Sequence, residues 1–171
     1  MNRKIGFRKG LWAGAIWILT VLLLTGCSAR DLEDRTFPQA MEVELVEQEL
    51  QGGFGEHTVR GSSLQELIER YQAESDKYVD LGHVKVLVLG TQLLGQKAQL
   101  QSLMEEMNAQ PILARNILVV SYKFADEKSC LKKLEEKGIV PGEYLSDLYK
   151  NNPQYKKHAT ATLAEVIAAV L

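Results

Sequence analysis

The chain has 171 residues, 46% of them hydrophobic, with 20 Lys and Arg against 22 Asp and Glu for a formal charge of −2. That length suits one domain, or one domain and a fragment. An acidic chain repels phosphate, and no basic stripe interleaved with aromatics is present, which excludes a nucleic-acid binder.

At the amino end, Arg3, Lys4, Arg8 and Lys9 precede an almost unbroken apolar run from Leu11 to Leu24, and no acidic residue stands before Asp31. A basic n-region leading into an apolar h-region is the pattern of a secretory leader. The run falls short of the roughly 20 apolar residues a stable span needs, and no basic stop-transfer cluster directly follows it. Leu24-Thr25-Gly26-Cys27 resembles the bacterial lipobox. That resemblance implies cleavage before Cys27, a diacylglyceryl group on its sulfur and fatty chains such as palmitate. Each buried methylene contributes about 0.8 kcal/mol, so one chain anchors marginally and two or more anchor durably. Loss of residues 1–26 removes four basic and no acidic residues, leaving 16 of the 20 basic residues against 22 acidic ones and a formal charge of −6. The other cysteine, Cys130, then has no partner for an internal disulfide. Stability must come from packing, and Cys130 reads as a small helical residue rather than a reactive thiol.

Residues 27–38 are polar and charged at first and read as a tether, with a single α/β domain over 39–171. Met41-Glu42-Val43-Glu44-Leu45 alternates apolar and acidic residues, which predicts a strand with one buried face. Gln51-Gly52-Gly53-Phe54-Gly55 then reads as a turn, followed by a short return strand through His57 to Arg60. The stretch is no P-loop, because it lacks the closing Lys-Ser/Thr. Ser63-Leu64-Gln65-Glu66 fits a capping box, and Leu64, Leu67, Ile68 and Tyr71 give the helix after it one apolar face.

Val84 to Gly90 reads as a buried central strand and Ile117 to Val120 as a second. Leu93, Leu94, Leu100, Leu103, Met104 and Met107 recur between them at helical spacing, ending before Pro111, so the three segments form a βαβ unit. Glu127 to Lys137 predicts a helix with Gly138 as its left-handed C′ residue. A short helix over Glu143 to Lys150 and a last one opened by the capping box Thr162-Leu163-Ala164-Glu165 complete the chain. The last helix, running to Leu171, must either dock on the sheet or begin a continuation. The expected fold is α/β, with α+β as the alternative: a mixed sheet of about four strands with a βαβ unit, packed by several helices behind a cleaved signal peptide.

Chemistry-bearing constellations are sparse. His57, His83 and His158 sit in separate segments with no partner at HxxxH or CxxC spacing, so no metal site is expected. No GxSxG occurs, and Ser62-Ser63 is accounted for by the cap. Glu105 and Glu106 are adjacent on a helix and diverge, while Lys132-Lys133 and Lys156-Lys157 read as surface charge. No catalytic residue, cofactor site or metal site is expected, and the chain reads as a non-enzyme.

Arg30-Asp31-Leu32-Glu33-Asp34 soon after the lipobox cysteine, and Tyr78-Val79-Asp80-Leu81-Gly82-His83-Val84 running into the central strand, resemble the Ger(x)C family of spore germination proteins. These are the lipoprotein C subunits of nutrient germinant receptors. The resemblance, which also rests on the order of strands and helices, covers the amino-terminal domain of the family. Gly82 and His83 form its Leu-Gly-His structural motif. Two departures stand out: Glu42-Val43-Glu44 replaces the family's Gly-Ile-Asp, and Ser28 follows the lipid cysteine in place of an aromatic residue. The resemblance implies a lipoprotein at the outer face of the cell membrane or inner spore membrane, associated with the integral-membrane A and B receptor subunits. The alternative expectation is an unrelated envelope lipoprotein that binds a small ligand at the carboxyl ends of the strands, near Gly90 and Ser121.

Overall fold

The computed structural model describes residues 32–55, 57–123, 129–152, 154 and 161–171. The chain divides into two units, Met1–Leu32 and Glu33–Leu171, and the architecture below is that of the second. In chain order its elements are β1 (Arg35–Thr36), β2 (Ala40–Val46), β3 (Glu49–Gly53), β4 (Thr58–Gly61), α1 (Leu64–Glu74) and β5 (Tyr78–Val79). Then come β6 (Val86–Gly90), α2 (Thr91–Leu94), α3 (Lys97–Ala109) and β7 (Leu118–Tyr122), followed by α4 (Cys130–Glu135), α5 (Pro141–Asn151), β8 (Ala161–Thr162) and α6 (Leu163–Val170). Single 3₁₀ turns occupy Leu32–Asp34 and Leu81–His83.

The fold is α/β. Six strands form one mixed sheet in the order β4-β3-β2-β6-β7-β8, and β1 pairs with β5 as a separate two-stranded parallel ribbon. Strands β2, β6 and β7 run parallel, with Met41 beside Leu87 and Leu87 beside Val119, while β3, β4 and β8 run antiparallel to their neighbours. The β6–α3–β7 segment is the expected parallel βαβ unit. Helices cover both faces of the sheet, the arrangement that lets its central strands be apolar on both sides. Under α1, α3 and α6 lie Met41, Val43, Leu45, Leu87, Leu89 and Val119, meeting Leu67, Leu103, Met104 and Ile167. On the opposite face Ala40, Val86, Val88, Leu118 and Val120 meet Cys130 and Leu131 of α4 and Leu145 of α5.

The sheet exceeds the expected size of about four strands because β3 and β8 join it. The glycine-rich stretch is where expectation and structure part. The chain turns earlier, at Glu47 (φ 52°) and Gln48 (φ 74°), a two-residue left-handed turn of the kind that matches strand twist. Gly52 and Gly53 therefore lie inside β3. A Cβ on Gly53 would sit 2.8 Å from Glu42 Oε1, and one on Gly52 would sit 2.9 Å from Leu67. These glycines provide lateral room rather than a bend. Gly55 keeps a turn conformation, at φ 135°.

The helix expected between β6 and β7 is broken at Gly95-Gln96 into α2 and α3. At α1 the capping box is half formed: Ser63 Oγ accepts from the Glu66 amide at 3.1 Å, but the Glu66 carboxylate accepts from the backbone and hydroxyl of Ser62 instead. The box at Thr162 and Glu165 is complete, and α6 docks on the main core through Leu163 and Ile167. Gly138, at φ 73°, follows α4 as its left-handed cap, with the Ile139 amide donating to Leu134 O. Pro141 stands in the first turn of α5, where its missing amide proton costs nothing. Within the stretch read as a tether, Arg35 is already paired in β1 and its guanidinium meets Asp80 at 3.2 Å.

Candidate functional site

Cys27 and His158 lie outside the described residues. Gly82 and His83 are exposed on the 3₁₀ turn that leads into β6. Asp80 caps that turn, its Oδ1 accepting from the Gly82 amide at 3.0 Å, and a Cβ on Gly82 would lie 3.1 Å from the same oxygen. The His83 ring meets Phe37 edge-on, with centroids 4.7 Å apart. The motif thus ties the segment before β2 to the start of β6. His57 is exposed with its ring 6.1 Å from Tyr71, well away from that turn in sequence and contacts. Among the described residues no three His, Cys, Asp or Glu side chains converge as metal ligands would. Glu105 accepts from Gln101, and Glu106 accepts from the Gln65 amide at the start of α1, so the two diverge into separate helix-stabilising roles.

Sequence patterning misses the most unusual chemistry of the domain. Glu42 and Glu44, expected on a solvated strand face, are 3% and 4% exposed. Glu42 points at the amino end of α4. It accepts from the Leu131 amide at 3.1 Å, and the Ser129 hydroxyl and Cys130 amide also bond it. Ser129 in turn accepts from the Lys132 amide at 3.0 Å. Burial pushes the Glu42 carboxyl above its ordinary range, with these hydrogen bonds pulling the other way and the charge of Glu135 adding to the rise. Burial, with the Glu42 charge second, raises the Cys130 thiol to about 11. Cys130 is thus a buried, protonated packing residue rather than a nucleophile.

Glu44 does the same work at the other end of β2. Its Oε1 accepts from its own neighbour Leu45 at 2.8 Å and from the Leu93 amide of α2 at 3.0 Å, while Oε2 is buried with no partner. A Cβ on Gly90 would lie 1.9 Å from the Glu44 carboxyl carbon. Each buried acid therefore has a glycine beside it: Gly53 for Glu42 and Gly90 for Glu44. That pairing, a glycine in a strand next to an acid one strand over, becomes visible only once the strands are in register.

The room near Gly90 is filled by the Glu44 side chain. Ser121 borders a depression of about 220 Å³, with Leu89, Val119 and Val166. A larger cleft, about 630 Å³, opens at the opposite end of the parallel strands, where β2 begins. The end of α1, the Phe54-Gly55 turn and the start of α5 border it.

Taken together, the described chemistry defines an α/β domain in which buried acids hold elements together and a cleft opens at the amino end of the central strands. Residues 46–171 match the family model described as "Spore germination protein N-terminal domain", and the chain belongs to that family. No curated protein and no solved structure matches the chain significantly. Membership agrees with the resemblance carried by the Leu-Gly-His segment, and it ends the case for an unrelated envelope lipoprotein.

Proposed function

We propose that the chain is a non-enzymatic component or accessory of a nutrient germinant receptor, held at the outer face of the cell membrane or inner spore membrane by lipid on Cys27. The observation that carries this reading is the family match over 46–171 behind a leader that ends in Leu24-Thr25-Gly26-Cys27. Among the described residues no helix is long and apolar enough to cross a membrane, and this reading assigns attachment to lipid on Cys27. The short stretch between Cys27 and Arg35 keeps the domain close to the bilayer, since an extended chain gains at most about 3.6 Å per residue. At that distance its partners are integral-membrane proteins, for which the A and B receptor subunits are the candidates.

Deleting the gene, or replacing Cys27→Ala, slows germination triggered by a nutrient germinant. A control with a germinant that bypasses receptors leaves both strains unaffected. Normal nutrient germination in both strains contradicts the reading.

A further inference from the structure

We propose that the domain rests on the bilayer with the amino end of its parallel strands, setting the exposed side chains of Tyr78, Ile112 and Val140 into a neutral headgroup layer. The inference deepens the anchoring reading and rests on it, because lipid on Cys27 is what brings this end to a membrane.

The chain enters the fold at this end. Arg35 is paired in the β1–β5 ribbon, where its Cα partner is Tyr78, and β2 begins shortly after at Ala40. Between Cys27 and Arg35, Leu32–Asp34 is coiled into a 3₁₀ turn. At about 2 Å per residue through the turn and at most about 3.6 Å elsewhere, that path spans no more than about 24 Å. A domain of this size is about 37 Å across. A tether shorter than the domain keeps the end that carries β1 nearer the bilayer than the end where β6 and β7 finish.

The same end exposes apolar side chains from three separate segments. Tyr78 and Ile112 are each 41% exposed, and Val140 is 55% exposed. Ile112 stands in the loop before β7, where its Cγ1 would lie 3.4 Å from a Cβ on Gly82, in the turn between β5 and β6. Val140 precedes α5 and borders the cleft together with Thr36 of β1 and Lys77, the residue before β5. The three side chains therefore surround the point at which the tether joins. A tyrosine, with an apolar ring and a polar tip, suits the boundary between acyl chains and water, and the aliphatic pair gains from leaving water.

The charges around them favour a neutral lipid surface. Asp76 and Lys77 precede Tyr78, Arg115 follows Ile112, and Glu136 and Lys137 precede Val140, all of them exposed. Both signs alternate, and the described residues of this end hold no polybasic cluster of the kind that selects anionic lipid.

The test uses the mature lipoprotein, extracted from membranes and reconstituted into phosphatidylcholine vesicles that hold no other protein. Both tryptophans of the chain, Trp12 and Trp17, lie in the leader, so once the leader is cleaved the parent carries none and each variant has a single reporter. Tyr78→Trp and Ile112→Trp report on the proposed contact, and Leu94→Trp, exposed beyond the carboxyl end of β6, reports on the far end. Lipid brominated close to the headgroup should quench Tyr78→Trp and Ile112→Trp several-fold more strongly than Leu94→Trp. Equal quenching of all three, or none at Tyr78→Trp and Ile112→Trp in protein that floats with the vesicles, overturns the inference, leaves the anchoring intact and assigns the patch to a protein partner. A parent that retains tryptophan emission, or that fails to float with the vesicles, overturns the anchoring reading and this inference with it.

Discussion

The two faces of the central sheet are built by different means. The face under α1, α3 and α6 is closed mainly by aliphatic and methionine side chains, with Met41, Leu64, Leu67, Leu87, Leu103 and Met104 at 0% exposure and Phe54 and Tyr71 buried among them. On the face under α4 and α5, strand β2 contributes two acids, and helix ends are fastened to the strand by carboxylate-to-amide hydrogen bonds. Apolar burial is nondirectional and insensitive to pH, whereas a buried carboxylate fixes one position and responds to protonation. The first face therefore provides bulk stability, and the second sets where α2 and α4 sit.

The largest expected loss tests the apolar face. Leu87→Ala removes a fully buried side chain and should cost about 2–5 kcal/mol, with the loss unchanged across pH. Denaturant unfolding at several pH values measures it, and a strongly pH-dependent loss would break the contrast. Gly90→Ala comes next, because its methyl would lie 1.9 Å from the Glu44 carboxyl carbon. About 3 kcal/mol of overpacking is expected. The double variant Gly90→Ala/Glu44→Ala should lose less than the sum of the singles, since removing the acid makes room. Additive losses would mean that the glycine is not there for the acid.

Glu42→Gln is expected to change stability by only about 1 kcal/mol near neutral pH, because an amide oxygen still accepts from α4. Its effect lies in the pH profile. The folded-state pKa of Glu42 is raised, so the folded chain holds this proton more tightly than the unfolded one. The group's contribution is greatest at acid pH and declines as pH rises from 4.5 toward the raised value. Melting temperatures of Glu42→Gln should lack that decline, and a profile parallel to the parent's would contradict the assignment.

The smallest effect has the opposite sign. Hydrogen bonds from Ser62, with help from Arg70, hold Glu66 down at about 2. Its contribution is present above 4.5 and is lost as pH falls from there toward 2. Glu66→Gln should remove this acid-side loss alone, leaving the profile above it unchanged.

Much of the fold is legible in the sequence because period and caps speak locally. The run Val84 to Gly90, the Thr162–Glu165 box and the left-handed Gly138 each announce themselves within a few residues. What is hidden depends on neighbours distant in sequence. Glu42 and Glu44 alternate with apolar residues as a solvated face would. Only the docking of Leu131, far along the chain, and of Leu93 shows them to be buried. Gly52 and Gly53 look like a turn because glycine's commonest local use is a bend, whereas here Leu67 and Glu42 need the space. The true turn, at Glu47-Gln48, carries no glycine or asparagine to mark it. The cleft is likewise illegible, since the β2 start, the α1 end and the α5 start meet only in the folded chain.

The proposed membrane-bound role depends on the chemistry of one sulfur atom, and mass spectrometry of the amino-terminal peptide from membrane-extracted protein tests it most directly. The account predicts a peptide beginning at Cys27 with a diacylglyceryl adduct and no residue of the leader. An unmodified Cys27 still preceded by residues 1–26, or a freely secreted product, would contradict it.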